Sequence, residues 1–363
     1  MKICFEKREK LHPIWKMLNP VICIILALFA CMFLILAIGK DPVAAYGKLF
    51  SGGFGSVKKL SESVLQAIPL MFCALGVSIS FKMSINNIGA EGQYVMGAMA
   101  ATGVALYCPF IPQPLVVPAM MVAGFAMGAL WAMLAVVPKA FWNVNETIIT
   151  LMFNYVALLF VDFLLFGAWR DTTLNLNYSP SFPEYAMLPK LFGTRINSSI
   201  YIAVLAAVCI YLFFNKTIRG YQIRVIGASA KSARYAGMSI RMNILIVMLF
   251  SGGLAGLAGV AQASGAVGRL QQNFANGAGY TAIIVAYMSR FNPFTVLIVS
   301  ILFSGLSYGS VATQLVGVPE QVGVVIQGAI LFFVLGGEIF SRNKLVITRK
   351  EDEKAVEQKG VAE

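Results

Sequence analysis

Gly92–Pro138, GQYVMGAMAATGVALYCPFIPQPLVVPAMMVAGFAMGALWAMLAVVP, runs its whole length without a charged side chain. A hydrocarbon core about 30 Å thick is crossed by roughly 20 helical residues rising about 1.5 Å each, so the stretch is too long for one crossing. Cys108-Pro109-Phe110-Ile111-Pro112-Gln113-Pro114 cuts it, because prolines cannot continue a helix. The stretch therefore reads as two spans joined by a turn.

Outward from this pair, Met17–Gly39, Ser63–Phe81, Ile196–Asn215, Met242–Gly268, Leu270–Ser289 and Phe291–Pro319 are also free of charge. Further spans fit about Glu146–Gly167, which holds Asp162, and Gln321–Phe340. The expected fold is all-α: a polytopic membrane protein of about ten transmembrane helices. The transmembrane domain covers 20–340, between an N-terminal segment 1–19 and a charged tail 341–363. Its two large loops are 168–198 and 215–243.

Composition agrees. Apolar side chains make up 58% of the 363 residues and charged ones 12%, with a mean hydropathy of +0.77. A wetted surface needs about twice that share of charge, and disorder needs less apolar content. One His and six scattered Cys exclude a His/Cys metal site and a disulfide scaffold. The net charge of +12 does not call for nucleic acid. Ten crossings put both termini on one side, and the basic loops then face the cytoplasm. Loop 215–243 alone carries Lys216, Arg219, Arg224, Lys231, Arg234 and Arg241 and no acid. Leu18–Gly39 is too long for a signal-peptide core and reads as a retained span. Leu28-Phe29-Ala30-Cys31 looks like a lipoprotein box, but Cys31 lies mid-run with nine spans after it.

Divided into two fives, the second half runs opposite to the first, as an inverted 5+5 repeat requires. The third span of each half opens on a polar run interrupted by glycine: Asn86-Asn87-Ile88-Gly89-Ala90-Glu91-Gly92-Gln93, and Gln271-Gln272-Asn273-Phe274-Ala275-Asn276-Gly277-Ala278-Gly279-Tyr280. Irregular backbone at membrane depth survives only when buried in protein or lining a watery cavity. The runs mark a translocation path, or else are interfacial turns. Glu91 within a span costs at least about 2.5–3.5 kcal/mol if it faces lipid, so it faces a cavity or a partner. It binds, orients, or caps a helix. The expected pathway residues are Asn87, Glu91, Gln93, Asn154, Gln272, Asn273 and Tyr280, a lining suited to a neutral hydroxylated or heterocyclic solute.

Gly124/Gly128, Gly252/Gly256 and Gly305/Gly309 have the spacing of close helix packing. Gly52-Gly53-Phe54-Gly55-Ser56-Val57-Lys58-Lys59 lacks P-loop spacing, so the chain does not hydrolyse nucleotide by itself. No constellation for acid–base or nucleophilic chemistry is present, and the chain reads as no enzyme. A proton-coupled secondary transporter using Glu91 is the alternative to an ATP-driven one.

Within loop 215–243, Ser229 is a plausible N-cap, alanines propagate a short helix, and Gly237 ends it. The run Gly227–Met238, followed by Ser251-Gly252-Gly253-Leu254-Ala255-Gly256-Leu257-Ala258-Gly259, resembles the coupling segment and following span of bacterial ABC-importer permeases of the branched-chain amino acid and sugar type. Asn87–Gln93 and Asn145–Tyr155 resemble signatures of the simple-sugar and nucleoside branch. Asn86 departs from that pattern, where an aromatic is expected.

The resemblance implies a permease for a nucleoside or simple sugar in the bacterial cytoplasmic membrane. Its implied partners are an ATP-binding cassette ATPase, a second permease and an extracytoplasmic substrate-binding lipoprotein, besides membrane lipid. ATP and Mg belong to the ATPase, and this chain binds no cofactor. Ser229, Lys231, Ala233, Arg234, Tyr235, Ala236 and Gly237 are the implied ATPase-coupling residues.

Overall fold

A computed structural model describes residues 2–7, 13–172, 177–191 and 193–348. His12 and the part of the charged tail beyond 348 lie outside the described residues. The chain divides into two compact units, Met1–Ala45 with Val316–Glu363, and Tyr46–Leu315.

In the first unit, α1 (Pro13–Ala37) packs on α13 (Gln321–Arg342). Cys23, Ala27, Cys31 and Ile35 fall four apart on one face of α1 and are buried, while Ile22, Ile25, Phe29 and Phe33 are exposed. Cys31 thus fills a helix-packing stripe. Gly337 lets α13 approach closely, since a Cβ there would overlap Cys23 Sγ. A two-stranded antiparallel ribbon pairs β1 (Lys2–Lys7) with β2 (Asn343–Thr348), in register from Lys2 opposite Thr348 to Lys7 opposite Asn343. This ribbon is the one departure from helix among the named elements of that unit.

The second unit contains the C-terminal part of α2 (Pro42–Phe54), then α3 (Val57–Lys82), α4 (Ala90–Tyr107), α5 (Gln113–Trp142) and α6 (Glu146–Phe166). After the long loop that follows α6 come α7 (Ser199–Lys216), α8 (Ile218–Ala228), α9 (Ala230–Tyr235), α10 (Ile240–Gln262), α11 (Ala278–Met288) and α12 (Pro293–Thr313). The core is α3 and α10, flanked by α4 and α5. Inside α3 the hydroxyls of Ser63, Ser78 and Ser80 donate to backbone carbonyls of Gly53, Ala74 and Val77 at 2.7–2.9 Å, so burial leaves none of them unsatisfied. α6 leaves Ile148, Tyr155, Leu159 and Phe163 exposed along one face.

The paired-small-residue spacings act in packing. Gly124 and Gly128 of α5 meet Gly252 and Gly256 of α10 backbone to backbone. Gly305 and Gly309 of α12 receive α2 at Phe54, Gly53 and Leu49, so the glycines before Lys58 are contact points between helices.

Six helical segments among the described residues are long and apolar enough to cross a membrane, or seven if Val21–Ala37 and Pro42–Phe54 form one broken span. The expected count is about ten. Part of the gap is physical: α11 and Gln321–Gly337 are apolar but short, and α4 opens with Glu91 and Gln93. Two short helices, α2 and α8, were not expected.

The loop between α6 and α7 is held against the chain that follows α10. Ser179 N–H donates to Leu270 O, Phe182 N–H to Gly268 O and Leu188 N–H to Ser264 O, at 2.8–3.0 Å. Arg195 pairs with the buried Glu62 of α3 at 3.2 Å.

Candidate functional site

Helix α11 has 11 residues, about 16 Å of helix at about 1.5 Å per residue, or roughly half a bilayer core. Its first turn leaves backbone N–H groups that need partners, and Gly279 within it is buried. Glu91 of α4 supplies them. Its Oε1 accepts from Gly277 N–H at 2.8 Å and its Oε2 from Gly279 N–H at 2.7 Å. The carboxylate is 4% exposed. Glu91 caps a helix, but not its own: Gly89 is the N-cap of α4 and gives no side-chain cap. The fit depends on two glycines. Gly277 sits at φ +78°, and a Cβ on Gly279 would overlap the backbone of Glu91.

The two polar runs singled out in the sequence thus meet each other inside the protein. Around the junction, Asn154 of α6 accepts from Gly92 N–H at 2.8 Å and donates to Ile88 O at 2.9 Å and to Tyr280 Oη at 3.2 Å. Asn87 and Gln93 exchange two amide hydrogen bonds of 3.0 Å, and Asn87 also donates to Ser251 of α10 at 2.9 Å. Asn87, Glu91, Gln93, Asn154 and Tyr280 therefore surround the start of α4 and bind α4, α6, α10 and α11 together. Gln272 and Asn273 are exposed on the incoming segment and join none of these bonds.

Beside the junction lies a cavity of about 220 Å³. Its polar wall is Gln66 of α3, Gln262 of α10, Asn276, Thr281 of α11, and Ser304 and Ser307 of α12; Tyr94, Phe274, Pro69 and Leu70 supply apolar surface. Among the described residues no Asp, Glu, Lys or Arg lines it. Phe274 and Tyr94 meet with ring centroids 5.9 Å apart and planes tilted at 50°. Of the expected pathway residues, none lines this cavity; Glu91 holds Gly277 and Gly279, which lie between the lining residues Asn276 and Thr281. Gln66 was the missed signal, a lone carboxamide in an apolar span.

On the opposite reach of the unit, Ser229 caps α9 by accepting from Ser232 N–H, and Gly237 at φ +73° closes it. The helix has the bounds read from the sequence. Ala233 is buried, while Lys231, Arg234, Tyr235, Ala236 and Gly237 are exposed, Tyr235 to 84%. Ala230, Lys231, Arg234 and Tyr235 line a surface depression. The base of this hairpin touches the end of α3: Ser84 Oγ donates to Gly227 O at 3.0 Å, and a Cβ on Gly227 would overlap Lys82 O. Ser84 lies three residues before Asn87, so the exposed helix and the Glu91 junction share one short connection.

Residues 60–335 match the family described as branched-chain amino acid transport system, permease component. The chain belongs to this permease family. Relatives include a glucose ABC transporter permease protein of Haloferax volcanii, 33% identical over 341 residues, 91% of this chain and 90% of the relative. A guanosine ABC transporter permease protein of Bacillus subtilis is 31% identical over 88% of this chain and 92% of its own length. A nucleoside ABC transporter permease protein of Lactococcus lactis is 28% identical over 88% and 90%. The permease is accordingly a multi-pass membrane transport subunit and not itself an enzyme.

Proposed function

We propose that this permease is the membrane-spanning subunit of an ATP-driven importer that passes a nucleoside or simple sugar inward beside the α4/α11 junction. The observation that carries the reading is the short helix α11, its start held by a carboxylate from α4 beside an uncharged polar cavity. Discontinuous helices are the means by which transporters place backbone groups at a solute site. The relatives named for glucose, guanosine and nucleosides favour a neutral solute of that size.

The fuller organisation belongs to the same proposal. Ten crossings follow if α1, α3 to α7, α10, α12 and α13 traverse the bilayer as helices and α11 does so together with the irregular chain before it, α4 and α11 being the equivalent third spans of two inverted halves. The β1/β2 pairing favours an even number, since it brings Lys2 and Thr348 together. The positive-inside rule then puts both termini in the cytoplasm. ATP and Mg are held by the ATPase; a second permease and an extracytoplasmic lipoprotein complete the assembly.

In this reading α9 sits on the ATPase through Lys231, Arg234 and Tyr235, and Ser84–Gly227 passes its displacement to the junction. Arg234→Glu reverses the charge of an exposed side chain. It is expected to weaken recovery of the ATPase with the permease and to lower uptake by about tenfold, one lost charge-assisted contact being on the order of 1.4 kcal/mol. Membrane insertion should be unaffected. Normal uptake by that variant in whole cells would remove the coupling role. The transport reading is tested with the full complex in proteoliposomes: ATP-dependent accumulation of a nucleoside or a hexose is expected, and uptake that ignores ATP but follows a proton gradient overturns it.

A further inference from the structure

We infer that the cavity between α3, α10, α11 and α12 is the solute-reading pocket of the permease, and that Gln66, Gln262, Asn276 and Thr281 determine which solute passes. This rests on the transport function proposed above and adds the site and its selectivity.

The side chains themselves give the argument. From Ser61 to Phe81, α3 is buried almost throughout, and Gln66 alone in that stretch is exposed; the surface it faces is the cavity. A carboxamide in the middle of a spanning helix ordinarily finds a partner on a neighbouring helix. Gln66 has none among the described residues, and neither do the side chains of Gln262, Asn276 and Thr281. They differ in this from Asn87, Gln93 and Asn154, whose amides are consumed by one another and by backbone. Gln262 ends α10 where the chain turns into a π-helix, Ala263–Val267, an irregularity that re-aims side chains and recurs at functional sites.

Three carboxamides and a hydroxyl offer donors and acceptors in similar number. With no ionisable carboxylate or ammonium on the wall, a phosphorylated solute bringing about −1.5 to −2 charges would enter uncompensated, at a cost of the kind that keeps lone charges out of membranes. The volume of about 220 Å³ equals about seven liquid waters at roughly 30 Å³ each, enough for one small ring solute and not for an oligomer. Tyr94 and Phe274, their rings tilted at 50° to each other, add aromatic surface to the same wall. The ligand class is an uncharged ring compound that both donates and accepts hydrogen bonds, a chemistry shared by nucleosides and hexoses.

The test uses the complete transporter in proteoliposomes with saturating binding protein, and reads solute moved per ATP hydrolysed for a purine nucleoside and for a hexose. Gln66→Leu and Thr281→Val, each confirmed to co-purify with the ATPase, are expected to lower that yield at least about tenfold for the transported solute and to change the nucleoside-to-hexose ratio. Thr281→Val keeps the shape and removes only the hydroxyl, so a packing defect does not account for its effect. Wild-type yield and ratio in both assembled variants would overturn the pocket and leave the transport function standing. A wild-type complex that moves neither solute overturns both. Which of the two solutes the wild type moves identifies the source of the shared chemistry.

Discussion

Glu91→Gln is expected to lower solute uptake by at least about tenfold in the assembled transporter, with the subunits still co-purifying. The carboxylate accepts two N–H groups, one on each oxygen, from Gly277 and Gly279. A carboxamide has one accepting oxygen and turns an NH₂ toward the second donor. One buried N–H is then left without an acceptor, a cost of about 1–3 kcal/mol, and a helix N-terminus loses its negative cap. A cost of about 1.4 kcal/mol is already tenfold in an equilibrium between the seated and unseated positions of α11. Because Thr281 and Ala278 form part of the cavity wall, an unseated α11 also displaces the pocket. Glu91→Asp separates charge from reach: it keeps the charge but is one methylene too short to hold both groups at 2.7 and 2.8 Å. Uptake should fall in Asp as it does in Gln. Recovery in Asp would assign the role to charge alone, and wild-type kinetics in both variants would reduce Glu91 to a static brace.

The parts of this site that could be read in the sequence are those set by local rules. Apolar runs between charges marked most of the helices, because hydrocarbon thickness fixes their length. Ser229 and Gly237 bounded α9, because capping chemistry is local. Glycine spacing on α5 and α10 announced a close contact. Glu91 stood out as a carboxylate in a span, but its partner lies 188 residues away at Gly279, and no spacing rule links the two. The same limit hid the division of labour among the amides. Asn87, Gln93 and Asn154 resemble Gln66 and Gln262 in composition, and only the tertiary arrangement decides which are satisfied by protein and which face the cavity. The span count was hard to read for a related reason: α11 is short and α4 opens with Glu91 and Gln93, so neither stands out by length and apolarity alone.

The largest effect on folding is expected from Gly256→Val. In a bilayer, lipid is as apolar as the helices, so association depends on close packing of small residues. Gly256 marks where α10 touches two neighbours at once. A Cβ there would overlap the Gly124 carbonyl of α5, and a Cβ on Gly97 of α4 would overlap Gly256 itself. The obstacles are backbone atoms, which cannot rotate aside as a side chain can. Valine adds three carbons to this contact, and the expected destabilisation is about 3 kcal/mol or more, at the upper end for overpacked interiors. Gly39→Ala is the comparison. Gly39 sits at φ +74° with nothing within 4 Å of a built Cβ, so its cost is backbone strain alone, about 1–2 kcal/mol. Unfolding midpoints in one detergent should order wild type, Gly39→Ala and Gly256→Val from highest to lowest, and Gly256→Val at the wild-type midpoint would refute the packing account. The same contact governs function, because α10 carries Ser251, which holds Asn87, and α4 carries Glu91. Parting these two helices by the width of a methyl group moves both ends of the junction that seats α11.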